Sequence, residues 1–523
     1  MNPRPSDVSD TTEIDFSANI AFRLPYESDA PPTTPPRQQG RRQAIPSSMV
    51  RLESFDTRAA LMCPQSLDCY MADAAIPAEG TRIRMNVETM AGETWHEGVV
   101  LPATTSGHVT VKLDNGYNVS HPLSSLISIS ELSTPSQAVM VESPDKEVDE
   151  SLPLVRIIHT GGTIASKVDY STGAVVARFE PGEMLSAIPE LADIAQIEAV
   201  KIGNMWSDDM RPQHWNLINA AITDAFSEGA TGVVVTQGTD TMHMTSCALS
   251  LAWSGEGGRP PGRIAITGSQ RSSDRGSTDA AENLMAAVHW AAEGPAPDGG
   301  MADAAVIVMH AGSGDGKCSV LPGCSVRKHH SSRRDAFSAI NSRPLAEITL
   351  TKGKPETRLM DWYEPRDGRE VSLQPSLFNP DIKITQLLAG PHLRGEVIDA
   401  IAALDHDAIM IQGTGLGHLP IEDPMGDAPE NLDLRKAITE WCNSGRIALV
   451  STQCIGGPVN MAVYSKGREQ MEIGMIGHDS RCGPDAALIK LHWLISQYGR
   501  DAEKIAELWT SDLVGENPSV MME

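Results

Sequence analysis

The sequence predicts an α/β protein with a larger parallel-sheet domain, a smaller α/β domain after it, and a small β-barrel before it. Three observations predict this. Short apolar runs ending in Gly/Thr/Ser-rich loops alternate with helical stretches from residue 154 to about 355. The same pattern resumes from about 381 to the end. Ahead of both, residues 80–132 alternate apolar and polar side chains with the period of a strand. A chain of 523 residues has room for about three domains of ordinary size.

Residues 1–75 read as a disordered extension. They carry Pro31-Pro32-Thr33-Thr34-Pro35-Pro36 and then Arg37, Arg41 and Arg42, with apolar residues in no period. In the barrel, Ile83, Met85 and Val87 alternate with Arg82, Arg84, Asn86 and Glu88, and Val109, Val111 and Leu113 alternate with Thr110 and Lys112. Asp114-Asn115-Gly116 supplies turn residues tolerant of positive φ. A unit of about 50 residues is near the lower limit for an independent core, so it is expected to lean on a neighbour. Residues 133–152 hold Pro135, Pro144 and five acids and read as a solvated linker.

In the larger domain, 153–355, the strands are Leu154–Ile158, Gly232–Thr236, Arg263–Thr267 and Ala305–Met309, with helices at 213–228, 241–253 and 278–292. Residues 355–380, rich in Pro, Asp and Arg, connect to the second α/β domain, 381–523. There Ala408–Ile411 and Ile447–Val450 are strands and 484–510 is helical. In parallel sheets ligands bind beyond the carboxyl ends of the strands. The loops starting at Gly161, Gly238, Gly268 and His310 all fall there.

Composition excludes several functions. Asp and Glu total 68 against 42 Lys and Arg, a net charge of −26, so tight nucleic-acid binding by this chain alone is not expected. A basic partner that holds the nucleic acid is compatible with it. No apolar run approaches the length of a membrane span, and the acidic N-terminus lacks a signal peptide's apolar region. Eight cysteines without a CxxC pair give neither a disulfide framework nor a zinc ribbon, and the chain reads as cytoplasmic and reduced.

The chemistry-bearing residues lie in three places. Thr163 follows two glycines at a strand end, where backbone N–H groups can form an oxyanion hole; it is either a nucleophile awaiting a base or a helix N-cap. Gly238-Thr239-Asp240-Thr241 repeats that form with a carboxylate, either binding a substrate ammonium or a lysine, or serving as a capping turn. Val326–Asp335 is the most basic stretch, and it reads as an RNA patch, a solvated face or the site of one buried lysine base. Two look-alikes are rejected. Ala311–Cys318 mimics a P-loop but has Ala where the motif needs Gly and Cys where it needs Ser or Thr. His329-His330 with Cys324 lacks metal-ligand spacing, so no metal is expected there.

His159-Thr160-Gly161-Gly162-Thr163-Ile164-Ala165 and Gln237-Gly238-Thr239-Asp240-Thr241 together resemble the two signatures of the type I/II L-asparaginase family over roughly 154–510. The paired signatures are far more specific than either alone. Thr163–Tyr170 with Thr172–Val175, Ser269–Arg275, Val326–Phe337 and Gln453–Ile455 with Val459-Asn460 are similar to one branch, the GatD component of the archaeal glutamyl-tRNA(Gln) amidotransferase. The barrel at 80–132 fits that branch and not a free asparaginase. The stretch 1–75 has no counterpart in it, and 315–323 and the insertion around 294–300 depart from its pattern.

The resemblance implies an asparaginase-like fold and a set of roles. Thr163 is the nucleophile and Tyr170 the loop tyrosine that helps activate it. Thr239, Asp240 and Lys328 form the Thr–Asp–Lys group, Ser207 lies in the loop that holds the substrate carboxylate, and Asp240 also holds the substrate amino group. It further implies L-glutamine hydrolysis, no cofactor on this chain, ATP and Mg used by a partner protein (GatE), Glu-tRNA(Gln) held mainly by that partner, and a homodimeric core in a D2E2 assembly. The competing readings are a free-standing L-asparaginase/glutaminase, against which the barrel argues, and a binding module without activity, against which the complete Thr163, Thr239, Asp240 and Lys328 set argues.

Overall fold

A computed structural model describes most of residues 76–521, without 90–91, 102, 104–106, 114–117, 133–148, 163, 165, 169–174, 178–187, 255–258, 273–277, 351–353, 366–368 and 372–373. The expected tail, most of the linker, and both Thr163 and Tyr170 lie outside the described residues.

The first unit has five strands: β1 (Arg82–Thr89), β2 (Gly92–Leu101), β3 (His108–Leu113), β4 (Asn118–Pro122) and β5 (Leu126–Glu131). They form one antiparallel sheet in the order β4-β3-β2-β1-β5, and among the described residues no ladder joins the outer strands β4 and β5. Ile83, Met85, Val87, Val109 and Val111 are buried as their alternation predicts. Asn86 departs from it. It stays on the face of Arg84 and Glu88, opposite Trp95 of β2, but is buried there and donates to Glu93 at 2.9 Å.

The larger domain is built on an eight-stranded sheet. Its strands are β6 (Leu154–His159), β9 (Gln196–Lys201), β10 (Gly232–Thr236), β11 (Arg263–Thr267), β12 (Val306–His310), β13 (Lys317–Leu321), β16 (Ala346–Leu350) and β17 (Pro355–Leu359). Two short hairpins stand apart from it, β7 (Ser166–Val168) with β8 (Val175–Ala177), and β14 (Val326–Lys328) with β15 (Phe337–Ala339). The order is β17-β16-β13-β12-β11-β10-β6-β9, parallel from β12 to β9 and antiparallel from β12 to β17. The sheet is therefore mixed and not wholly parallel. The reason is local: six residues, Ala311–Gly316, are too few for a crossover, so β13 returns beside β12 as a hairpin. Those residues are the P-loop look-alike, and they open no helix.

The sheet is buried on both faces. Ile158, Val233, Val235, Ile264, Ile266, Ile307 and Met309 pack with α1 (Pro212–Ser227) and α2 (Met242–Ala252). Val155, Ile157, Val234, Ala265, Val306 and Val308 pack with α3 (Ala280–Glu293) on the other side. Continuous apolar runs are what such double coverage requires.

The smaller domain has a three-stranded parallel sheet of β18 (Ile384–Leu388), β19 (Ala408–Gly413) and β20 (Ile447–Thr452). Its helices are α4 (Gly395–Ala403), α5 (Pro429–Asn443), α6 (Ser465–Glu472), α7 (Pro484–Tyr498) and α8 (Ala502–Trp509). One face of this sheet buries Ile409, Ile411, Ala448 and Val450 with α4 and α5. The other puts Met410 and Leu449 into the core shared with α2 and α7. Helix α7 packs on α2 and so joins the two sheets. Gly499, with φ +64°, ends α7 and separates the predicted helical stretch into two.

Candidate active site

Strand β6 runs on to β9 on one side and β10 to β11 on the other, so a switch point opens between β6 and β10. The loops that leave these strands meet there, and glycine makes the approach possible. A Cβ on Gly162 (φ +92°) would lie 2.3 Å from the Gly238 nitrogen. Thr160 N donates to Thr236 O at 3.1 Å, and Gln237 N donates to Thr267 O at 3.0 Å, which carries the strand register into the loops.

The loop Asn204–Met210 is tied to both. Met205 N donates to Thr160 O at 3.0 Å, and Asp240 N donates to Ser207 Oγ at 3.1 Å. Thr241 Oγ1 donates to the Ser207 carbonyl at 2.5 Å. Ser207 is buried, and because its Oγ accepts from a backbone N–H, its own hydrogen remains available to an anionic group in the cleft.

Lys328 arrives from β14, the short hairpin strand beside α2. Its Nζ donates to Thr239 Oγ1 at 2.9 Å and to Asp240 Oδ1 at 2.7 Å. Thr239 is 7% exposed, whereas the Asp240 side chain is 68% exposed. The lysine head thus bridges a buried hydroxyl and a carboxylate open to incoming ligand. With the ammonium occupying one lone pair of Thr239 Oγ1, that hydroxyl can still donate its hydrogen or relay a proton. Among the described residues Gln237 Oε1 and Nε2 and Ser269 Oγ are buried without a hydrogen-bond partner. Each unpaired buried polar atom costs about 1–3 kcal/mol, a cost that folds keep at functional sites.

The structure brings together Ser207, Thr239, Asp240 and Lys328, all expected from the sequence. It adds supports that the sequence did not reveal. Asp485, in the first turn of α7, has Oδ2 3.4 Å from His243 Nε2 and 3.2 Å from Arg327 Nε. His243 opens the helix after Asp240, and Arg327 precedes Lys328. Burial pushes the Asp485 carboxyl up, but the close approach and charge of His243 and the Arg327 guanidinium outweigh this and hold it below its ordinary value. Buried Asp279 accepts from Gln270 N at 2.9 Å and Arg271 N at 3.0 Å and fixes the loop after β11. The basic stretch is not a bare positive face: Arg327, Lys328, Arg333 and Arg334 each meet a carboxylate. His330 Nδ1 accepts from the backbone of Ser332 and Arg333. Gly483-Pro484-Asp485 does read as a helix start, but nothing in the sequence says what that aspartate faces.

Two family patterns match this chain: asparaginase, N-terminal, over residues 154–360, and glutaminase/asparaginase C-terminal domain over 383–509. The chain belongs to the asparaginase family. Within it, similarity runs to one group in particular, the D-type subunits of glutamyl-tRNA(Gln) amidotransferase. That of Archaeoglobus fulgidus is 35% identical over 84% of this chain and 95% of its own length. That of Pyrococcus abyssi is 34% identical over 84% and 94%. That of Methanococcus maripaludis is 36% identical over 82% and 97%. Among solved structures, the thermostable L-asparaginase from Thermococcus kodakarensis superposes with TM-score 0.56 at 27% identity, covering 70% of this chain and 99% of that one. L-asparaginase I from Vibrio cholerae gives 0.58 at 25%, covering 70% and 100%. The asparaginases account for nearly their whole length within 70% of this chain, whereas the amidotransferase proteins match over 82–84% of it.

Proposed function

We propose that this asparaginase-family chain is the glutaminase subunit of a tRNA-dependent amidotransferase. It hydrolyses L-glutamine and delivers ammonia for the conversion of Glu-tRNA(Gln) to Gln-tRNA(Gln). The observation that carries the hydrolytic half is the Lys328 bridge between Thr239 Oγ1 and Asp240 Oδ1 at the switch point. The breadth of the match to the D-type amidotransferase proteins supports the tRNA-dependent half.

In this reading Asp240 binds the substrate ammonium and Ser207 its carboxylate, which places the side-chain amide against Thr163. Thr163 Oγ attacks the amide carbon, with its proton passing through Tyr170 or the Lys328 group. The new C–O bond forms, the C–N bond breaks, and the nitrogen leaves as ammonia with that proton. Water then adds to the acyl ester, helped by the Thr239–Lys328 pair. Glutamate departs and the Thr163 hydroxyl is restored. None of these steps calls on a metal or redox cofactor; ATP and Mg belong to the partner GatE, which also holds the tRNA, and a −26 chain is suited to leaving it there. Residues 80–132 form a separate small β domain, 153–355 the catalytic domain and 381–523 the smaller domain, in a D2E2 complex of the cytoplasm. Among the described residues no helix is long and apolar enough to cross a membrane.

The test is ammonia release from L-glutamine and L-asparagine by the purified chain, alone and with GatE plus Glu-tRNA(Gln). Glutaminase activity that rises with partner and tRNA, and is lost in T163A, is the expected result. Brisk asparagine hydrolysis indifferent to both would instead make this an asparaginase with an extra domain.

A further inference from the structure

We propose that Glu282, His310 and Asp315 form a binding site for a divalent transition-metal ion of the zinc class. The site lies where α3 meets the hairpin between β12 and β13. The three residues bring one imidazole nitrogen and two carboxylate oxygens within 4.8 Å of one another.

The tautomer of His310 carries the argument. The ring is 2% exposed, and its Nδ1 lies 2.6 Å from Asn283 Oδ1. Asn283 Nδ2 donates to Gly268 O at 2.9 Å and Asp279 Oδ2 at 3.0 Å, so the amide oxygen is the end that faces the imidazole. Nδ1 therefore carries the hydrogen, and in the neutral ring Nε2 is a lone pair. That atom is buried without a hydrogen-bond partner, and Glu282 Oε2, another acceptor, stands 3.0 Å away. Two acceptors facing each other at that distance call for a cation between them.

The charges around the ring are Glu282, Asp315 and Asp279 against one cation, Arg334. Arg334 Nη1 donates to Asp315 Oδ1 at 2.5 Å and its other arm meets Ser313 O, so it compensates only one of the carboxylates. Gly316 N also donates to Glu282 Oε2, at 2.8 Å. The Nδ1–H bond to Asn283 is the outer contact that metal-bound histidines characteristically make. One nitrogen and two carboxylate oxygens suit Zn²⁺ or Mn²⁺ better than a soft ion. The exposed Asp315 leaves room for water at the remaining position.

The ion would clip the hairpin Ala311–Gly316 to α3. That helix and the residue before it supply Asn283, which holds Gly268 beside Thr239, and Asp279, which holds the backbone of Gln270 and Arg271 in the same loop. The role is structural, with no part in bond breaking.

The experiment counts zinc bound to the metal-stripped full chain by equilibrium dialysis and isothermal titration, for wild type, H310A, E282Q and D315N. Wild type should hold one more equivalent than each variant, or bind it at least about tenfold more tightly, and zinc should raise the Tm of wild type only. D315N alters an exposed carboxylate, so it keeps the test valid if H310A fails to fold. Cobalt bound there should show no thiolate charge-transfer band. Equal zinc stoichiometry and affinity in wild type and D315N would overturn the proposal. So would a His310 ring that titrates as an imidazolium and ignores zinc, because the bridging cation would then be a proton.

Discussion

Replacing Lys328 by methionine separates the catalytic reading from a structural one. Methionine keeps the apolar stem and removes the ammonium that donates to Thr239 Oγ1 at 2.9 Å and Asp240 Oδ1 at 2.7 Å. A charged donor to a buried hydroxyl is worth about 1.5–3 kcal/mol. The Asp240 contact counts for much less in stability, because that side chain is 68% exposed and water screens the pair. Its carboxylate is left solvated and not stranded, so Tm should move by no more than a few degrees. In the reaction the same ammonium is asked to handle a proton in the transition state, a role worth about 10²–10⁴-fold. That range is about 2.7–5.5 kcal/mol of barrier. We expect kcat for ammonia release from L-glutamine to fall by that factor while KM changes far less, followed by a coupled glutamate or ammonia assay across substrate concentrations. An unchanged kcat in a folded K328M protein would remove Lys328 from the mechanism. A large rise in KM at constant kcat would reduce it to a binding residue.

Two further outcomes follow from buried charges. Lys490 Nζ lies 2.6 Å from Glu516 Oε1 with both side chains fully buried, and it also donates to Trp509 O and Ser511 O. K490M strands the Glu516 carboxylate and should cost about 3–5 kcal/mol in urea unfolding, with K490M/E516Q recovering part of the loss; a cost below about 1 kcal/mol would contradict the geometry. Asp485 has a folded pKa below its unfolded one, so its contribution is present above the unfolded value near pH 4 and is lost as pH falls through the lower, folded value. The stability gap between wild type and D485N should therefore be present above about pH 4 and shrink as pH falls below it; a gap that persists unchanged through acid would show that Asp485 is not held ionised by His243 and Arg327.

The strands of the larger domain are legible in the sequence because burial on both sheet faces demands runs such as Val233-Val234-Val235, which no surface element carries. The antiparallel edge is less so. Lys317–Leu321 and Ala346–Leu350 are short; the six-residue return after His310 sets the direction of the first only, and the second pairs with it after the β14–β15 hairpin. Alternation places Asn86 on the polar face, where it lies, but is blind to the cross-strand partners that bury it there. At the site, Thr239 and Asp240 are readable from a motif, and Lys328 from resemblance. Asp485 and His310 are not, since the groups that give them meaning arrive from other elements.

The sequence by itself determined the central strands and the helices between them, the loops at the strand ends and the residue types that suit amide hydrolysis, because periodicity and turn chemistry act between neighbours in the chain. Only the tertiary structure decided that β6 and β10 lie side by side at a switch point, that Lys328 crosses 88 positions of sequence to reach Asp240, and that His310 turns an acceptor toward Glu282. Those relations depend on how the sheet closes its core on both faces, and burial is a property of the whole packed chain, absent from any local stretch of it.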